Sequence, residues 1–114
     1  MKVLLTGSTG FVGSALKSKL TDYDLTEIAR KEPLDKSANF FIKEMSSIED
    51  FSECIKGIDV IIHMAAKVHQ MKNKDNEKDD YLEINHKATV NLALQAANAG
   101  VKRFIFISTI KVNI

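Results

Sequence analysis

The chain has 114 residues, 45% of them hydrophobic and 27% charged, with a formal net charge of +1. That length makes one domain able to bury a core, and the near-neutral charge removes the electrostatic case for nucleic acid or an anionic membrane as partner. A single cysteine, Cys54, excludes an internal disulfide, and the histidines at 63, 69 and 86 lack ligand spacing, so no metal site is expected.

Residues 2–5, KVLL, form a short apolar, β-prone run bounded by Gly7 and read as a buried strand. The opening MKVLL resembles the start of a signal peptide, but Thr6 and Gly7 cut the apolar stretch far short of one. No run approaches the ~18 residues of a spanning helix, so a cytoplasmic chain is expected. In VGSALKSKL, Val12, Ala15, Leu16 and Leu20 fall at helical spacing. Residues 25–29, LTEIA, alternate like a strand, and the stretch around Pro33 reads as a loop. NFFI at 39–42 is a third strand. A short helix over SIEDFSECIK follows, with Ser47 as its N-cap, Cys54 half-buried on it and Gly57 at its end.

The run DVIIHMA at 59–65 is continuously apolar, as suits a strand covered on both faces. Residues 67–80 are nearly all polar, lack periodicity and read as a long loop. The helix expected over 81–100 carries Ala88, Leu92, Ala96 and Ala99 at helical spacing, with Gly100 in the stop position. RFIFIS at 103–108 is a last apolar strand. Strands alternating with helices predict an α/β fold, a doubly wound, Rossmann-type parallel sheet of five strands in the order 3-2-1-4-5.

In that fold the segment LLTGSTGFVG joins the first strand to the first helix, whose N-terminus carries unpaired N–H groups and partial positive charge. A pyrophosphate fits there if the backbone comes close. Gly7 permits the sharp turn, Gly10 the approach to phosphate, and Gly13 close packing of helix on strand. A glycine-rich turn without a ligand is the competing reading. A P-loop is excluded, because Gly13 is followed by Ser14-Ala15 and not by a lysine and a hydroxyl residue.

The spacing T-G-x-x-G-x-x-G of residues 6–13 resembles the cofactor motif of the extended short-chain dehydrogenase/reductase family. Within that family, the chain is similar to the NAD-dependent nucleotide-sugar epimerase/dehydratase branch typified by UDP-glucose 4-epimerase. HMAA at 63–66 resembles the family's H-x-A-A, INHKATVNL at 84–92 its asparagine-bearing helix, and VKRFIFISTIKVN at 101–113 its fifth strand. The resemblance implies that amides near Phe11 and Val12 hold the pyrophosphate. It also implies that Met64, Ala65 and Ala66 line the nicotinamide half, and that Asn85 is the helix asparagine near the site. Thr109, or its neighbour Ser108, falls where the family has its catalytic hydroxyl. Read without the resemblance, Asn85 satisfies a helix turn and Ser108 is a strand-end residue.

Three departures from the family pattern carry expectations, the one at Glu44-Met45 being mild. Arg30, followed by Lys31, stands where the family often has an acid, which favours NADP over NAD unless both are merely solvated charges. Glu44-Met45 takes the place beside the adenine. The family's Y-x-x-x-K pair is absent, since Tyr23 is followed four residues on by Glu27 and Tyr81 by Asn85.

The expected function is therefore the NAD(P)-binding portion, residues 1–114, of a nucleotide-sugar epimerase or dehydratase. It is incomplete relative to the family, lacks a substrate domain and is inactive alone. A non-catalytic dinucleotide-binding module and a related NADP-dependent reductase remain alternatives. Partners expected are the dinucleotide, a nucleotide sugar in the full-length family, and a second copy of the chain. That second copy would pair along the fifth-strand edge, truncated before a sixth strand and exposing Phe104, Ile105, Phe106 and Ile107.

Overall fold

In the first strand Val3, Leu4, Leu5 and Thr6 are buried in succession, a pattern that a strand with one wet face does not give. The reason is topological. In the computed structural model, which describes residues 1–7, 11–32, 39–65 and 75–108, this strand is central and covered on both sides. The elements run β1 (Lys2–Thr6), α1 (Phe11–Lys19), β2 (Asp24–Ala29), β3 (Asn39–Ile42), α2 (Ser52–Ile55), β4 (Val60–Ala65), α3 (Asp75–Ala99) and β5 (Arg103–Ser108). The sheet has the order β3-β2-β1-β4-β5, and every neighbouring pair is parallel. The doubly wound, Rossmann-type α/β fold expected from the alternation of elements is the one observed.

Alternation along each strand divides the core in two. Val3, Leu5, Leu25 and Met64 face α1 and pack with Leu16 and Leu20. Leu4, Ile28 and Ile61 face the other way, against Phe51, Cys54, Ile55 and the α3 residues Leu92 and Ala96. Full burial of an aliphatic side chain contributes about 1.5–3 kcal/mol, so both clusters anchor the sheet that carries the loops. No helix among the described residues is long and apolar enough to cross a membrane.

Asp59 secures the amino edge of the sheet. Its carboxylate accepts the Lys2 N–H at 2.9 Å, its own N–H donates to the Lys2 carbonyl, and its carbonyl accepts from Lys102 and Arg103. Hydrogen bonding from the Lys2 amide, foremost, holds its carboxyl below the usual range. At the end of α3, Gly100 adopts a φ of 82°, with Gly100 N–H bonded to Ala97 O and Val101 N–H to Ala96 O. This paired arrangement terminates the helix as the glycine implied.

Three local expectations are corrected. The short helix begins at Ser52 and not after Ser47, and no side chain caps it. The stretch before it is bonded instead to α3. Asn91 Nδ2 donates to the carbonyls of Ser46 and Glu49, Gln95 Nε2 to that of Glu49, and Gln95 Oε1 accepts the Phe51 N–H at 2.7 Å. Backbone groups held by amide side chains are withdrawn from a helical ladder. Next, α3 starts at Asp75, so residues 75–80 of the supposed loop are helical. That turn lacks apolar periodicity but is rich in acids, which the positive end of a helix favours. Finally, Cys54 is 2% exposed instead of half-buried, and burial pushes its thiol up to about 11, leaving it unreactive.

Candidate dinucleotide site at the carboxyl edge of the sheet

Parallel strands end on one side, so the carboxyl ends of all five strands form a single edge. On that edge β1 lies between β2 and β4, where α1 covers one face and α3 the other. This is the switch point at which open α/β sheets bind their ligands.

Gly7 sits there with a φ of 75°, in the left-handed region. A Cβ at this position would lie 2.3 Å from the Met64 carbonyl oxygen and 3.2 Å from the Met64 Cβ. Glycine is required twice over, for the turn and for the backbone of β4 behind it. The sequence reading anticipated the turn; the wall formed by Met64 lies 57 residues away and has no local signal.

Helix α1 opens at Phe11 with no acidic residue in its first turn, and Gly13 is buried within it. The amides of that first turn have no intrahelical partner, and the turn itself carries no carboxylate to compete for their positive end. The donor set thus fits an anionic group of the pyrophosphate kind.

The remaining predicted residues distribute unevenly. Arg30 and Lys31 directly follow β2 and are exposed. Glu44 is exposed, whereas Met45 is half-buried against the core on the α2 and α3 face. Met64 is 4% exposed, with its side chain in the α1-side core, and it meets the loop at Gly7 through its backbone and Cβ. Ala65 and Ser108 are register partners and bring the ends of β4 and β5 together. Asn85 lies exposed on α3. Gly10, Ala66 and Thr109 lie outside the described residues.

Two buried polar groupings behind this edge were not anticipated. Thr6 and His63 are register partners, and Thr6 Oγ1 lies 2.5 Å from His63 Nδ1. His63 Nε2 is 2.9 Å from Thr89 Oγ1, and the Thr89 hydroxyl donates to the Asn85 carbonyl. The imidazole also lies against Phe104 and Phe106, at centroid distances of 6.0 and 5.5 Å. Burial holds its pKa down at about 4, so the ring is neutral at physiological pH. On the α1 face, Lys17 Nζ contacts Glu27 Oε2 at 2.6 Å. The available signal was the polar residue at an inward position: Thr6 and His63 interrupt apolar strands, and Glu27 shares a face with Leu25 and Ala29.

Residues 3–112 match the model of the NAD dependent epimerase/dehydratase family. The chain belongs to that family. It is 45% identical to the UDP-glucose 4-epimerase of Vibrio cholerae over 116 residues, covering 97% of this chain and 35% of the relative. It is 28% identical to the L-arabinose 1-dehydrogenase (NAD(P)(+)) of Haloferax volcanii, covering 95% of this chain and 41% of that protein. The solved structure of MoeE5 in complex with UDP-glucuronic acid and NAD aligns with a TM-score of 0.77 at 26% identity. That alignment covers 93% of this chain and 36% of MoeE5. The chain thus spans little more than a third of the length of the family members it matches.

Proposed function

We propose that residues 1–114 form the dinucleotide-binding domain of a nucleotide-sugar epimerase or dehydratase. The observation carrying this reading is Gly7, which turns at φ 75° against Met64 and opens onto the acid-free first turn of α1. Bound there, the dinucleotide supplies hydride transfer to and from a sugar carbon. The Phe11 and Val12 amides, with Gly7, Gly10 and Gly13, hold the pyrophosphate. Arg30, Glu44 and Met45 flank the adenosine end. The backbone at Met64 and Ala65, together with Ala66 and Asn85, borders the nicotinamide half, and Thr109 or Ser108 hydrogen-bonds the reacting hydroxyl of the sugar.

The 114-residue chain turns over no UDP-sugar by itself in this reading. Neither tyrosine has a lysine four residues on, and a general acid–base group typically contributes 10²–10⁴-fold. The free chain associates through its β5 edge, where Ile105 and Phe106 are 42% and 49% exposed. Phe104 and Ile107 are half-buried against the two cores and contribute less to that surface than the sequence implied. A second reading, an NADP-dependent reductase of the same family, is favoured by Arg30 and by the dehydrogenase relative.

The test is calorimetric titration of the chain with NAD and with NADP, alongside Gly10→Val. Binding by the wild type and loss in the variant support the site, because a branched side chain there meets the phosphates. Equal binding by both proteins removes it.

A further inference from the structure

The hydrogen-bond chain Thr6–His63–Thr89 has a direction that follows from counting protons. The Thr89 hydroxyl proton is committed to the Asn85 carbonyl at 2.9 Å, so Thr89 Oγ1 accepts from His63 Nε2–H. A neutral imidazole carries one proton, which leaves Nδ1 as an acceptor for the Thr6 hydroxyl. The order is Thr6 O–H to Nδ1, Nε2–H to Thr89, and Thr89 O–H to the backbone of α3. The first two links join β1 to β4 and β4 to α3, the third lies within α3, and the first adjoins Gly7.

We propose that Thr6, His63 and Thr89 form a one-way hydrogen-bond chain through which α3 sets the position of Gly7, making His63 and Thr89 positioning residues for the loop after β1. The ligand consequence rests on the reading of that loop as the dinucleotide site. The structural consequence does not. Strand β1 ends at Thr6, Gly7 has no side chain of its own, and its backbone is wedged against Met64. Its placement therefore depends on how Thr6 and the His63–Met64 pair are held. The Thr6 hydroxyl is tied across to His63, and His63 is held from behind by Thr89 on a long helix and beside by the Phe104 and Phe106 rings. Thr89 thus acts on the loop through two side chains, without being adjacent to it in sequence.

The experiment uses the isotopically labelled 114-residue chain, with Thr89→Val, which keeps the shape and removes the hydroxyl, and Thr89→Ser, which keeps the hydroxyl. Nitrogen resonances of the His63 ring report the tautomer, the Gly7 amide resonance reports loop position, and titration with NAD reports the site. The wild type is expected to carry the ring proton on Nε2. In Thr89→Val the Gly7 resonance moves and NAD binding weakens about fivefold, the effect of one neutral hydrogen bond; Thr89→Ser restores both. An unmoved Gly7 resonance in Thr89→Val overturns the proposal. So does a wild-type ring proton on Nδ1, which decides the matter even if Thr89→Val fails to fold. A wild type that binds no NAD sinks the functional reading, while the Gly7 response still decides the coupling.

Discussion

Gly7 and Met64 meet backbone to backbone at the carboxyl ends of β1 and β4, so closely that a Cβ on Gly7 would stand 2.3 Å from the Met64 carbonyl oxygen. Gly7→Ala is therefore penalised by its left-handed φ, by about 1–2 kcal/mol, and again by displacement of β4. Thermal unfolding should show a loss of at least that size, accompanied by weaker NAD binding. An alanine variant as stable as the wild type would contradict the packing described.

Acid should weaken the fold through His63. Its folded pKa, about 4, lies below the ordinary value of 6.5 because of burial. Between those values the unfolded chain binds a proton that the folded chain refuses, so stability falls as pH falls from 6.5 and the loss levels off below 4. The full loss is about 3 kcal/mol. Urea unfolding at pH 7 and pH 4.5 captures most of it, and His63→Gln should flatten the slope over that window. A slope that survives in His63→Gln assigns the effect elsewhere.

The ion pair between Lys17 and Glu27 joins α1 to β2, with side chains 6% and 1% exposed. Lys17→Met takes a cation from beside a buried carboxylate and should cost on the order of 3 kcal/mol. The double change Lys17→Met, Glu27→Leu removes both charges from the apolar interface and should recover most of that loss. A double variant no more stable than Lys17→Met would show that the pair contributes more than charge compensation.

Arg30 stands exposed just beyond β2, and its guanidinium can pair with a 2′-phosphate. Solvent screening reduces such a contact to about 1 kcal/mol, roughly a fivefold preference for NADP. Titration of wild type and Arg30→Ala with both cofactors checks it. The preference should vanish in the variant, and an unchanged ratio removes Arg30 from the site.

The β5 edge carries Ile105 and Phe106 into solvent. Light scattering of the free chain at micromolar concentration should give a dimer or larger species. Ile105→Lys, which places a charge on the edge, should shift it toward monomer. A monomeric wild type would overturn edge association.

The strands and the turn at Gly7 were legible because both are local, apolar runs bounded by turn residues. The strand order followed from the right-handed crossovers that alternating strands and helices impose. Helix α3 was shortened in the sequence reading because its first turns are polar all round, and hydrophobic periodicity cannot register a helix that has no apolar face there. The Ser47 cap failed for a different reason. Asn91 and Gln95 lie more than forty residues from the backbone groups they hold, and nothing within the segment 46–51 announces them. In the sequence reading, His63 was one of three histidines without ligand spacing and the first residue of the HMAA motif. Its part in tying three elements together depends on Thr6 and Thr89, which only the fold brings alongside.

Strand β1 is made well before β4, and its register with that strand joins residues 57 apart in sequence. At synthesis rates of roughly 5–20 residues per second, about 3–11 s separate their emergence from the ribosome. Through that interval Val3, Leu4 and Leu5 have β2 on one flank and nothing on the other, and the Thr6 hydroxyl has no imidazole to meet. The nascent chain thus holds a strand buried almost along its whole length half-paired until Val60 emerges, and that span is when a chaperone would find the most to bind.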